Sequence, residues 1–179
     1  MSVDQSAPGF VSVGRILGVP LRLHISALVV GVAGIIGGFG VTVAALLFLL
    51  VGHEMGHALL IRRCGYEVVG VDLSALGGRC LYLRGANDDW HDALIAWGGV
   101  GFQALLLLPL LAWVLCFPVP RGIGAIDQLL FVFVPINALM ILYNLVPLRH
   151  LDGAVAWQVF PLWAGRRQRR LAKAEQAEK

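Results

Sequence analysis

The sequence predicts an all-α polytopic membrane protein. It should have about four transmembrane helices, a short C-terminal helix and a small β-hairpin-like segment near residues 66–84. Three observations carry this reading. Apolar residues make up 58% of the chain and charged residues only 14%, against roughly 25% charged in ordinary soluble domains. The apolar residues fall in long runs, the pattern expected when lipid is the solvent. From Ile25 to Ile61 the only ionisable side chains are His53, Glu54 and His57, a stretch well beyond the roughly 20 residues that one spanning helix needs.

Residues 1–24 read as a short arm carrying Arg15 and Arg22. It has no basic region leading into an apolar core, so no cleaved signal peptide is expected. The long apolar stretch should break at Gly37-Gly38-Phe39-Gly40, where glycine permits a tight turn. That gives a first span at about 23–38 and a second at about 41–61, closed by Arg62 and Arg63. Tyr66 to Ser74 is valine-rich and partly alternating, and Gly77-Gly78 and R-C-L-Y-L-R follow; this predicts two short strands around a glycine turn. The polar turn Ala86 to Asp92 can cap the next helix. A third span is expected at about 93–117, with Pro109 inside it and Pro118 and Pro120 ending it. A fourth is expected at about 128–146, kinked at Pro135. A shorter apolar helix, about 153–164, follows Leu151-Asp152-Gly153, and the tail from Arg166 reads as a frayed surface helix. The length of 179 residues suits one membrane-embedded domain, 1–164, with a basic polar cytoplasmic tail at 165–179.

Four spans put the N-terminus, the 62–91 loop and the C-terminus on one side. Of the fourteen Lys and Arg residues all but Arg121 fall there, so both termini should be cytoplasmic and the chain a multi-pass protein of the cell membrane. The R-R-Q-R-R run at 166–170 is a positive-inside anchor near anionic lipid, too short to argue for nucleic acid. Cys64, Cys80 and Cys116 form no C-x-x-C pair and read as thiols rather than a disulfide framework. The tryptophans, among them Trp97 and Trp157, read as interface anchors and packing.

The second span contains His53-Glu54-Met55-Gly56-His57. Histidines at i and i+4 project from one helix face, a spacing that suits two ligands of one zinc ion. The glutamate between them can take a proton from water activated by the metal. Three ionisable groups within five residues are costly in lipid unless they pair, bind metal or face water; the bland alternative is a polar packing knot. With five residues separating His57 from Arg62, the ligands should lie about 7–14 Å inside the cytoplasmic boundary. Catalytic zinc takes three protein ligands and keeps one position open. Asp152, directly after the fourth span, is the candidate third ligand, and an N-cap aspartate for the following helix is the alternative. His24 and His150 read more simply as interfacial and loop histidines, and no spacing supports His91 or Cys64 as ligands.

H-E-M-G-H in a span, followed by N-x-x-P and L-D-G, resembles the site-2 protease family. G-V-P-L-R-L-H-I-S at 18–26 is similar to the family's entry to its first helix. G-Y-E-V-V-G-V-D-L-S-A-L-G-G is similar to its strand-turn segment, and Y-N-L-V-P-L-R-H-L-D-G-A-V-A-W to its small bacterial members. The resemblance covers residues 14–163. It implies an intramembrane zinc metalloprotease that hydrolyses a peptide bond in or near a transmembrane segment of a membrane-anchored protein, in regulated intramembrane proteolysis. It implies His53, His57 and Asp152 as zinc ligands, Glu54 as catalytic acid/base and Asn144 near the substrate backbone. One motif departs. Many members have A-G-P-x-x-N where this chain has W-G-G-V-G-F-Q at 97–103. Gly98 fits the same close packing, the proline and asparagine are absent, and Gln103 is the available stand-in. No PDZ insertion is present to regulate it. The alternative function is a catalytically silent homologue that binds membrane segments as a scaffold; a zinc transporter would call for further intramembrane Asp or His.

Overall fold

A computed structural model describes residues 8–83, 88–118, 122 and 124–177. The expected hairpin end at Arg84, the start of the 86–92 turn, Pro120 and Arg121 lie outside the described residues.

The N-terminal arm is a β-hairpin, a correction to the all-α reading. Strands β1 (Phe10–Ile16) and β2 (Val19–His24) pair antiparallel, Ile16 opposite Val19. The two-residue turn has positive φ at both Leu17 (50°) and Gly18 (79°), the sense of turn whose twist matches a hairpin. Strands β3 (Glu67–Ser74) and β4 (Gly77–Leu83) form the expected second hairpin. The two join through a parallel β2–β3 pairing, Leu21 opposite Val71, giving one four-stranded sheet in the order β1-β2-β3-β4. The predicted hairpin is therefore half of a sheet, with β4 at its edge.

Arg22 and Asp72 are partners in that parallel register. The guanidinium donates twice to the carboxylate, Nε to Oδ1 at 2.6 Å and Nη2 to Oδ2 at 2.9 Å. Asp72 is buried, so removing the arginine leaves a buried charge without its main partner. Arg22→Ala is expected to lower stability by about 3 kcal/mol, measured as chemical unfolding in detergent. Unchanged stability would show that backbone pairing and packing hold β2 to β3 without the ion pair.

Parallel neighbours need a crossover, here a helical hairpin. Helix α1 (Ile25–Ile36) ends at Gly37, Gly38 takes φ 81°, and α2 (Gly40–Arg63) returns. The break falls where the glycines place it. The first span is shorter than expected because β2 takes residues through His24. Twelve residues rise about 18 Å, less than the roughly 30 Å of a bilayer core. Among the described residues three helical segments are long and apolar enough to cross: α2; α3 (Asp89–Cys116); and α4 (Gly124–Phe131) running through a π-helical turn (Val132–Ile136) into α5 (Asn137–Asn144). The chain is a membrane protein. Pro135 sits inside the π turn, so the expected kink appears as a widened turn that relieves the missing donor. The expected helix at 153–164 is split into α6 (Gly153–Ala156) and α7 (Val159–Ala177).

Helix α2 is the central element. Half of its apolar window is buried, against 17% for α3 and 11% for the α4–α5 segment. One end of α2 packs on the sheet through Ala58, Val19, Val71 and Leu73; the other packs on the π turn through Ala45, Leu49 and Val132. The amide and hydroxyl of Thr42 both donate to Gln128 Oε1, at 3.1 and 2.9 Å, tying that far end to α4. Side chains such as Val29, Phe48, Leu105, Leu108, Phe131 and Leu142 remain exposed, as lipid-facing positions should.

Candidate metal centre

The α2–α3 contact brings backbone to backbone. A Cβ added at Gly98 would lie 2.5 Å from the Gly56 carbonyl oxygen, and one at Gly56 would strike the Gly98 carbonyl in return. Glycine at both positions lets the helices approach closely. That approach sets the His53 ring against Gly99. It also puts the His57 Nδ1 2.7 Å from the Ile95 carbonyl oxygen and the His53 Nδ1 3.1 Å from Gln103 Oε1. Ile95, Gly99 and Gln103 recur every four residues along one face of α3, matching the spacing of the two histidines on α2.

A carbonyl only accepts, so His57 donates from Nδ1 and its Nε2 carries the lone pair. The same holds for His53 against Gln103 Oε1. The two Nε2 atoms lie 3.1 Å apart, and Asp152 Oδ2 is 3.1 Å from that of His53 and 3.3 Å from that of His57. With both Nδ1 positions donating, no hydrogen remains between these atoms, and Asp152 Oδ2 is a buried oxygen without a hydrogen-bond partner. Burial pushes the Asp152 carboxyl up and the two imidazoles beside it pull it down. The net position is well below the ordinary carboxylate range, so the group is an anion. An orphaned anionic oxygen facing two imidazole lone pairs fits a cation. The spacing fits as well, because tetrahedral bonds of about 2.0–2.2 Å set donors about 3.3 Å apart.

Asp152 arrives from a folded loop. Trp157 Nε1 donates to the Leu145 carbonyl at 2.7 Å and Trp97 Nε1 to that of Ala156 at 2.9 Å. Gly153 packs so closely on Leu145 that a Cβ would strike its carbonyl. Asp152 stands at the N-terminus of α6, but its side chain makes no capping bond; the carboxylate turns to the histidines instead.

Glu54 is buried beside them and packs on β4. A Cβ at Gly78 would lie 2.5 Å from its Oε1, and the Cys80 amide faces its carboxylate. Burial, then the Glu54 charge, pushes the Cys80 thiol up to about 12, so it stays protonated at neutral pH. A cavity of about 850 Å³ opens onto His53, Glu54, His57 and Asp152 between β4 and α5, with Met140, Tyr143 and Asn144 on the α5 wall. Asn144 Nδ2 donates to the Met140 carbonyl at 3.0 Å. Polar groups at Arg79, Asp92, Arg149 and His150 also line it. The structure thus brings together all five residues singled out in the sequence.

His24 and His91 do not join them. His24 caps α1, accepting from the Ser26 amide at 3.2 Å. His91 sits 3.0 Å from the Tyr66 hydroxyl. Gln103, Trp97, Trp157 and Gly78 also shape the site, beyond the roles of stand-in, interface anchor or packing residue, and turn residue that the sequence suggests. The available signal is a polar Gln103 within an apolar helix, four residues after Gly99.

Fold and site together define a helical membrane protein with a buried His-His-Asp group able to hold a metal ion, covered by a small sheet. No family model matches the chain. It is 32% identical over 126 residues, 67% of its length, to a protein of Synechocystis sp. provisionally named zinc metalloprotease sll0528. The match spans about a third (32%) of that relative's length. The site-2 protease of Methanocaldococcus jannaschii has the same fold, with a TM-score of 0.63 at 21% identity over 84% of this chain and 71% of that one. The chain thus shares the fold of a site-2 protease and resembles a zinc metalloprotease over 67% of its own length.

Proposed function

We propose that the chain is an intramembrane zinc endopeptidase that cleaves a peptide bond in or near a transmembrane segment of a membrane-anchored protein, as in regulated intramembrane proteolysis. The observation that carries this is the convergence of His53 Nε2, His57 Nε2 and Asp152 Oδ2 at metal-ligand spacing, with Glu54 in the same cavity. His53, His57 and Asp152 would hold the zinc, whose chemistry when bound is Lewis-acid activation of water and of a carbonyl oxygen. Glu54 takes the proton of the attacking water on its carboxylate and returns it to the leaving amine. A helical substrate hides its carbonyls and must unwind, leaving backbone groups that need new partners. The edge of β4 can supply them as an added strand, and Asn144 on the facing wall would contact the substrate backbone.

One zinc per chain is expected in purified protein, and His53→Ala combined with His57→Ala should remove both the metal and the fragments that the native chain generates in cells. Unchanged zinc in that double variant would place the metal elsewhere.

We further propose that the sheet and both termini face the cytoplasm. The basic residues support this, since all but Arg121 fall on the side where α2 ends, α3 begins and α5 ends. Water reaches the site from there, past the polar cavity rim. Single cysteines at Leu76, Pro118 and Gln176 in a cysteine-free background should separate with an impermeant reagent. Intact cells should label only Pro118→Cys, and inverted vesicles only the other two; the reverse pattern would overturn the orientation.

A further inference from the structure

We infer that Gln103 is a positioning residue for the metal: it fixes the tautomer and direction of His53 and so sets metal affinity. The inference rests on the metal reading above. Its observations are separate ones.

Gln103 is fully buried in the middle of α3. Its Oε1 lies 3.1 Å from His53 Nδ1, while its Nε2 has no partner. Its backbone carbonyl is gripped by the side chain of Asn137, whose Nδ2 donates at 3.1 Å. Asn137 is itself fully buried, directly after the π turn. The helix backbone is therefore held at this residue by a second buried side chain, from the segment after the π turn.

Packing does not account for a glutamine here. A buried amide whose NH2 group has no partner is destabilising by about 1–3 kcal/mol, and an apolar side chain of similar volume would remove that penalty. What the glutamine provides is an acceptor aimed at Nδ1. With Nδ1–H held there, His53 presents its Nε2 lone pair to the point it shares with His57 and Asp152. Without the acceptor, the ring can turn or move its proton to Nε2, which blocks the ligand position. Gly99, one turn earlier, leaves room for the ring and gives it no other partner. His57 has the equivalent support from the Ile95 carbonyl, a backbone group that substitution cannot delete. Gln103 is thus the side chain through which this support can be tuned.

The test is zinc affinity measured by chelator competition on purified full-length protein, with thermal unfolding of the metal-free form measured beside it. Gln103→Met keeps the volume and removes the acceptor. It should bind zinc about 10–100-fold more weakly, while the metal-free protein unfolds at the same temperature or higher. Gln103→Glu restores an acceptor and should hold zinc more tightly than Gln103→Met. A purely structural glutamine would lower the unfolding temperature of metal-free Gln103→Met, and that result would overturn the inference. So would native affinity in Gln103→Met. Failure of the metal reading itself would show differently, as absence of zinc binding in the native chain.

Discussion

Glu54→Gln is expected to lower peptide-bond cleavage by about 10²–10⁴-fold, the range for losing a general acid/base, with zinc content and stability retained. The substitution is nearly isosteric, so the contacts with Gly78 and the Cys80 amide keep their shape, and an amide oxygen still accepts from that N–H. The amide cannot shuttle a proton at neutral pH. His53, His57 and Asp152 are untouched, so the metal should remain. Fragment analysis of membrane proteins in cells carrying either chain reads activity, and metal analysis reads the site. Full activity in the variant would remove Glu54 from the chemistry and sink the proposed mechanism.

Gly98→Val should act through geometry instead. The Gly56 carbonyl lies where the new Cβ must go, and that neighbour is backbone, so α2 and α3 must separate. Separation draws the Ile95 carbonyl and Gln103 away from the two histidines together. Stability should fall by about 1–3 kcal/mol or more, as for other overpacked cores, and zinc should be lost on mild chelation. Gly101 on the same helix is the control, because a Cβ there meets nothing within 4 Å. Gly101→Ala should leave zinc unchanged and be neutral or slightly stabilising. Equal behaviour of the two variants would mean that close helix approach does not hold the site.

Much of this architecture was legible because lipid imposes strict rules. An ionisable cluster inside an apolar run has few physical explanations, which made His53, Glu54 and His57 visible, and the glycines at 37–40 marked a turn that they do form. The β3–β4 hairpin was legible from valine alternation and Gly77-Gly78. The β1–β2 hairpin was not. Its turn is Leu17-Gly18 rather than an Asn-Gly or Asp-Gly pair, and its pairing with β3 depends on residues about 50 positions away, such as Asp72 for Arg22. The first span is shorter than its apolar run for the same reason, since Leu23 is apolar but belongs to a strand. At the site, Asp152 was visible as a ligand or a cap, and only the fold decides between them. The Ile95 carbonyl was invisible, because a backbone acceptor has no residue-type signature.

The third donor comes late. Two of the three spanning segments lie between His57 and Asp152, and the loop that carries Asp152 is held in part by Trp157, beyond it, which reaches back to Leu145. A ribosome makes His53, Glu54 and His57 early and Asp152 only after the last apolar segment. During synthesis the chain therefore passes a long interval with two imidazoles and a glutamate in place and no third donor.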